Sequence, residues 1–171
     1  MQDKAVEILH QNRIMAISTI RPDGWPQVTT VGYAHDGLLI YFIISRLSQK
    51  FSNIEHDDRV SIAIASDFHD PSTITGLSIA ASASEVKDPK QRQEAVKLIL
   101  ERRPGLRKLE PPDMSHSAVM RAWPSIVTIL DYSKGFGHAD SLTVSPGGTE
   151  MAPARDDDWG FSTQRQRSAD D

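Results

Sequence analysis

Two tight-turn signals set close together between apolar runs restrict the fold more than any other feature. They are Pro22-Asp23-Gly24 and His35-Asp36-Gly37. Proline pre-sets φ, aspartate bonds its own backbone, and glycine accepts φ > 0. Strand-like segments flank both: Ile14 to Thr19, Gln27 to Tyr33, and Leu38 to Ile44. Asp-Gly between two such runs is a hairpin signal. Successive antiparallel strands are therefore expected near the start of the chain. Leu38 to Ile44 is apolar on both faces and is expected to be central and buried.

The remaining segments extend this pattern. Val60 to Ala65 alternates with period two and reads as a strand. Thr73 to Lys87 reads as a long strand bent at Gly76, where a side chain is missing. Ser125 to Tyr132 is the last clear strand. Residues 3–11 form a helix with Ala5, Ile8 and Leu9 on one face. A short helix is expected over 48–55, carrying Phe51 and Ile54, and another over 117–122. Pro89 suits the first turn of a helix that runs to about Arg103 and ends at Pro104-Gly105. After Asp140 the composition changes, with Pro146-Gly147-Gly148, Pro153 and Asp156-Asp157-Asp158. Residues 1–140 are read as the folded domain and 141–171 as a polar, mobile tail. The expected class is mainly β with peripheral helices (α+β), a six-stranded antiparallel barrel whose closure removes exposed edges. Side chains fill an interior that small, so a ligand is expected outside the barrel or at a dimer groove.

Composition removes several function classes. The chain has 171 residues, one domain's worth, and no cysteine. Disulfides, thiolate metal sites and cysteine nucleophiles are excluded. No apolar run approaches the roughly 20 residues that cross a bilayer, and Met1-Gln2-Asp3-Lys4 does not open a signal peptide. A cytoplasmic location without membrane contact is expected. The net charge of −4 argues against a nucleic-acid partner. Any basic feature must be local and aimed at a small anion.

One candidate is the junction Ser45-Arg46-Leu47-Ser48-Gln49-Lys50. Here an apolar strand stops and a helix begins. A helix start carries unpaired N–H groups and a partial positive charge. Hydroxyls from Ser45 and Ser48, with Arg46 and Lys50, would complete a phosphate site. Lys50 in the first turn opposes the usual acidic preference, as a functional anion site would. The same residues also read as an ordinary serine N-cap beside solvated charges, and alone they do not decide between the two.

The order of elements adds to this. Trp25-Pro26-Gln27-Val28-Thr29-Thr30-Val31, then Ser48-Gln49-Lys50, then Asn53 to Val60, and finally Ile129 to His138 occur in a sequence that resembles the pyridoxamine 5′-phosphate oxidase-like, FMN-binding split-barrel family. The resemblance covers about residues 1–140. Ser48-Gln49-Lys50 is similar to that family's phosphate-binding Ser-Arg-Lys segment, with Gln49 in place of arginine. The resemblance implies an FMN cofactor and an oxidoreductase acting on a small molecule, with the flavin at the interface of a homodimer. It places Val28, Thr29, Thr30 and Val31 along the isoalloxazine edge and ribityl chain. Ser45, Ser48, Gln49 and Lys50 would hold the phosphate, supported by Arg46. Gly76 and Ser78 would approach from the far side. The partner subunit would contribute through Trp123, Lys134 and Phe136. True pyridoxamine phosphate oxidases also carry an Arg-x-His pair that grips substrate. This chain has none, so the resemblance favours the cofactor over that substrate.

Two other cofactors fit the same reading. A barrel using deazaflavin F420 has similar phosphate needs. A non-catalytic flavin- or heme-binding module belongs to another class; heme would need an axial ligand, with His35 and His138 as candidates. Asp67, His69 and Asp70 read as a solvated loop before a metal site. Gly76-Leu77-Ser78 lacks the second glycine of a hydrolase elbow. Gly135-Phe136-Gly137 fails the dinucleotide fingerprint at Asp140. Trp25 reads as a barrel lid, and Trp159 falls in the tail. Arg102-Arg103 and Arg107-Lys108 read as a solvated basic face that an anionic substrate would also suit.

Overall fold

The computed structural model describes residues 1–65, 70–103, 114–135, 137–145 and 148–151. Helix α1 (Gln2–Gln11) leads into strands β1 (Ile14–Ile20), β2 (Pro26–Asp36) and β3 (Leu39–Ser45). Helix α2 (Gln49–His56) precedes β4 (Arg59–Ala65) and β5 (Thr75–Glu85). Helix α3 (Pro89–Arg102) precedes β6 (Ser117–Asp131), β7 (Ala139–Ser145) and β8 (Gly148–Met151). The sheet order is β3-β2-β1-β4-β5-β6-β7-β8, and a further pairing of β3 with β6 closes the first six strands into a ring. All pairings are antiparallel. The six-stranded antiparallel barrel is as expected, with two strands added outside it.

The turns form where glycine permits them, Gly24 at φ 85° and Gly37 at φ 55°. Barrel-facing side chains fill the interior: Met15, Ile17, Ile40, Phe42, Ile62, Ile64, Leu77, Ile79 and Met120 are each at most 1% exposed. Ala5, Ile8 and Leu9 of α1 are buried, as their spacing predicts. Helix α1 stops the barrel end where β1 begins, and Tyr33 Oη donates to the Leu9 carbonyl there at 2.9 Å. Helix α2 stops the other end with Phe51 and Ile54. Helix α3 lies on the outer wall against β2, β3 and β6. It covers Tyr41 and Ile43, which explains why β3 is apolar on both faces.

Three expectations change. Residues 117–122 are the first part of β6, not a helix. A short apolar run does not distinguish helix from strand, and Pro124 made the segment look separate. The proline is tolerated because β6 changes neighbours there: residues 117–122 pair with β3, and 126–130 pair with β7. The bend expected at Gly76 lies instead at Ala80/Ala81, opposite Pro124 and Ile126, where the register shifts. Gly76 serves close approach: a Cβ there would stand 2.9 Å from the Ile64 carbonyl oxygen. The sheet also takes in 139–145 and 148–151, extending ordered structure past Asp140. Residues 152–171 lie outside the described residues, as do Asp67, His69, Arg107, Lys108, Phe136 and Trp159.

Candidate functional site

Strands β2 and β3 are paired only from Tyr33 to Asp36. Over residues 26–32, β2 pairs with β1 alone. That leaves one edge open, with alternate N–H and C=O groups pointing into it. Val28, Thr29, Thr30 and Val31 lie on this edge. Opposed residues share a face of a sheet, so Thr29, opposite the buried Ile17, points inward, while Val28 and Thr30 point out. Val28 is 64% exposed. Thr29 Oγ1 is buried and has no hydrogen-bond partner.

Where β3 ends, the chain turns into α2. Arg46 N donates to the His116 carbonyl at 2.7 Å, and Leu47 N donates to Ser45 Oγ at 3.1 Å. Ser48 is the N-cap: its Oγ accepts from Phe51 N at 3.2 Å and donates to the Ser45 carbonyl at 2.6 Å. Ser52 N also bonds Ser48 O. The N–H groups of Gln49 and Lys50 precede the first intrahelical donor, Phe51 N, and so lie among the unpaired groups of a helix start. Ser45 Oγ keeps its own proton to donate.

The two cations behave differently. Arg46 grips Glu85 through both Nη atoms, Nη1 to Oε2 at 2.8 Å, and its guanidinium lies 5.6 Å from the Phe51 ring centroid. Its fork is committed, so it braces the junction against β5. Lys50 has no ion pair or side-chain hydrogen bond among the described residues. Burial alone holds its pKa below the usual lysine value. Lys50 is therefore a half-buried ammonium without a counter-ion among the described residues, beside the N–H groups that open α2.

Sequence reasoning did not assign a role to the polar network at this helix start. Asn53, fully buried, donates to Thr19 Oγ1 at 2.9 Å and to Gln27 Oε1 at 3.1 Å. Its Oδ1 accepts from Gln49 Nε2 at 2.9 Å. Gln49 thus spends its amide N–H on Asn53, and the network ties α2 to β1 and to the open edge of β2. The one signal available was the Gln49/Asn53 spacing of four on a helix.

The other expected residues lie elsewhere. Cross-strand partners place Thr30, Ala16, Ala63, Ser78 and Thr128 in one row on the outer face. Ser78 is therefore three strands from Thr30, roughly 14 Å at ordinary strand spacing. Gly76 is buried between Ala65 and Leu130. Trp123, opposite Ser82, is 48% exposed. Lys134 pairs with Asp140 at 2.9 Å, and His138 Nε2 meets the same Oδ2 at 3.1 Å. Asn53 links Gln49 of α2 to Gln27 near the start of β2, whereas Gly76 and Ser78 lie on β5, Trp123 on β6 and Lys134 in the turn after it. Of the histidines considered as metal-type ligands, His35 bonds Gly37 O through Nδ1 at 3.0 Å, and its Nε2 is buried.

A closed six-stranded antiparallel barrel whose β2 and β3 part over residues 26–32 defines the split-barrel class. The chain belongs to the pyridoxamine 5′-phosphate oxidase family, whose model matches residues 1–125. No curated protein matches the sequence. Among solved structures it is similar to a heme binding protein from Mycobacterium smegmatis, at 22% identity and TM-score 0.71, with 83% of this chain and 57% of that one covered. A conserved hypothetical protein from Mycobacterium tuberculosis is 24% identical with TM-score 0.69, covering 78% and 86%. An FAD-binding protein from Mesorhizobium loti is 16% identical with TM-score 0.61, covering 74% and 91%. Likeness at these identities establishes the fold. Among the described residues, no helix is long and apolar enough to cross a membrane.

Proposed function

We propose that this protein binds FMN, with its phosphate in the α2 pocket, and acts as a flavin-dependent oxidoreductase on a small molecule. The observation that carries the reading is the half-buried Lys50 at the start of α2, without an ion pair among the described residues, in a barrel whose β2 leaves residues 26–32 unpaired on one edge. Lys50 would neutralise the phosphate, the Ser45 hydroxyl and the N–H groups of Gln49 and Lys50 would donate to it, and Ser48 would hold the turn in shape. The free backbone groups of Val28–Val31 suit the polar edge of a flavin ring. Bound flavin would supply the redox chemistry; the chain supplies binding, orientation and electrostatics.

The outer face of β1, β4 and β5 is paved with Ala16, Ser18, Ser61, Ala63, Ser78 and Ala80, and α3 does not cover it. Exposed Val28 and Trp123 flank it. A homodimer through this face would bring the separated group, Ser78, Trp123 and Lys134, to the partner's flavin. F420 is the alternative cofactor, and competitive titration against FMN decides between them. Heme is a second reading, supported by the likeness to the Mycobacterium smegmatis protein. With His35 turned inward, His138 is its axial candidate, and loss of a Soret band in His138→Ala tests it.

Titration with FMN, followed by absorbance, tests the main proposal. Wild type is expected to bind, and Lys50→Ala to bind roughly tenfold to a hundredfold more weakly, the worth of one charge-assisted hydrogen bond. No binding, or equal binding by Lys50→Ala, would sink it. If flavin binds but NAD(P)H is not oxidised at steady state, a storage or sensor role replaces the enzyme.

A further inference from the structure

A cavity of about 320 Å³ opens at the barrel end away from α2, lined by His10, Arg13, Glu101 and Arg102. That is within the size range of small-molecule sites, roughly 300–1,000 Å³. It forms where the last turns of α1 and α3 meet. Arg102 joins them: its Nη2 donates to the carbonyls of Leu9 and His10 at 3.0 Å and of Asn12 at 2.6 Å. Arg103 Nη2 donates to the Arg13 carbonyl at 2.7 Å, and its guanidinium fills the space that a Cβ on Gly32 would need. Three guanidiniums therefore converge.

A single carboxylate lines the cavity beside them. None of the three forms an ion pair there, and the exposed Arg13 fork forms no side-chain hydrogen bond. Glu101, the one lining carboxylate, faces Lys97 at 3.9 Å. The Nε atoms of Arg102 and Arg103 are buried without partners. The His10 and His35 rings meet edge-on at 5.9 Å between centroids. Burial holds down the Arg102 pKa, and repulsion from Arg13 and Arg103 adds to that effect.

We propose that this cavity binds a compact oxyanion, the carboxylate or phosphate group of a small molecule, with Arg13 as the direct ligand. Arg102 and Arg103 are fixed by backbone carbonyls and supply a standing positive potential. Arg13 offers the free planar fork that matches two anion oxygens. The pocket lies six residues along β1 from Thr19, roughly 20 Å from the floor of the α2 pocket. The proposal stands independently of the flavin reading.

The test uses full-length Lys50→Ala protein, which lacks the other anion pocket's cation. Inorganic phosphate and succinate are titrated separately while the His10 and His35 imidazole resonances are followed by NMR. A saturable shift with at least one anion is expected, and the one saturating at lower concentration identifies the class. Adding Arg13→Gln, an exposed change that leaves the fold's hydrogen bonds intact, should weaken binding about tenfold or more. Linear, non-saturating shifts with both anions, or an unchanged midpoint in Arg13→Gln, would overturn the proposal.

Discussion

His35 donates from Nδ1 to the Gly37 carbonyl, which leaves Nε2 as the site for a second proton. That atom is buried without an acceptor, and Arg102 and His10 are close enough to repel it. Burial foremost holds the ring's pKa below 6.5, and these two cations add to the effect. The unfolded chain therefore takes up the proton more readily, and stability falls as pH drops through 6.5 toward the lower folded value. Urea midpoints at about pH 7.5 and about pH 5.5 should show a smaller drop for His35→Asn than for wild type; equal drops would refute this. Gly76 makes a second prediction at this scale. With the Ile64 carbonyl 2.9 Å and Ala65 Cβ 3.3 Å from a new methyl, Gly76→Ala should cost about 1–3 kcal/mol in chemical denaturation. An unchanged midpoint would mean β4 and β5 separate freely.

Helix α2 is anchored by its buried Phe51 and Ile54 and also by Asn53, whose amide holds Thr19, Gln27 and Gln49 together. Asn53→Ala would leave buried polar groups unpaired and should cost about 1–3 kcal/mol. It should also weaken anion binding at Lys50, because the helix start would lose its tie to β2; stability and phosphate affinity measured on the same variant check both. At this scale the sequence was readable wherever local chemistry sets the element. Pro22-Asp23-Gly24 and Asp36-Gly37 mark their turns, and Ser48 marks its cap. It was unreadable where tertiary contact decides. Ala118 to Ala122 is a strand because β3 and β5 lie on either side of it. Asn53 is a tie because of what β1 and β2 place opposite it, and Arg46 is taken up by Glu85, which arrives from β5. Those partners lie 26 to 39 residues away in sequence, beyond any local pattern.

As a whole, the molecule has two walls of different character. One carries α3. The other, at the middle of β1, β4 and β5, carries the small side chains of Ala16, Ser18, Ser61, Ala63, Ser78 and Ala80, so another backbone can approach it closely. A dimer through this wall predicts that Ser78→Arg, which adds a cation to its middle row, shifts the protein from dimer to monomer in sedimentation; a dimer unchanged by that substitution would place the interface elsewhere. The ring itself has a consequence for synthesis. Its last seam joins β3 to β6, segments more than seventy positions apart in the chain. During translation, the hydrogen-bonding edge of Ile40 to Ser45 emerges early and must wait for Ser117 to Ala122. Closing so long a loop is entropically slow. Until it closes, a nascent chain presents an apolar, unpaired strand edge, the kind of surface that seeks pairing with a neighbouring chain.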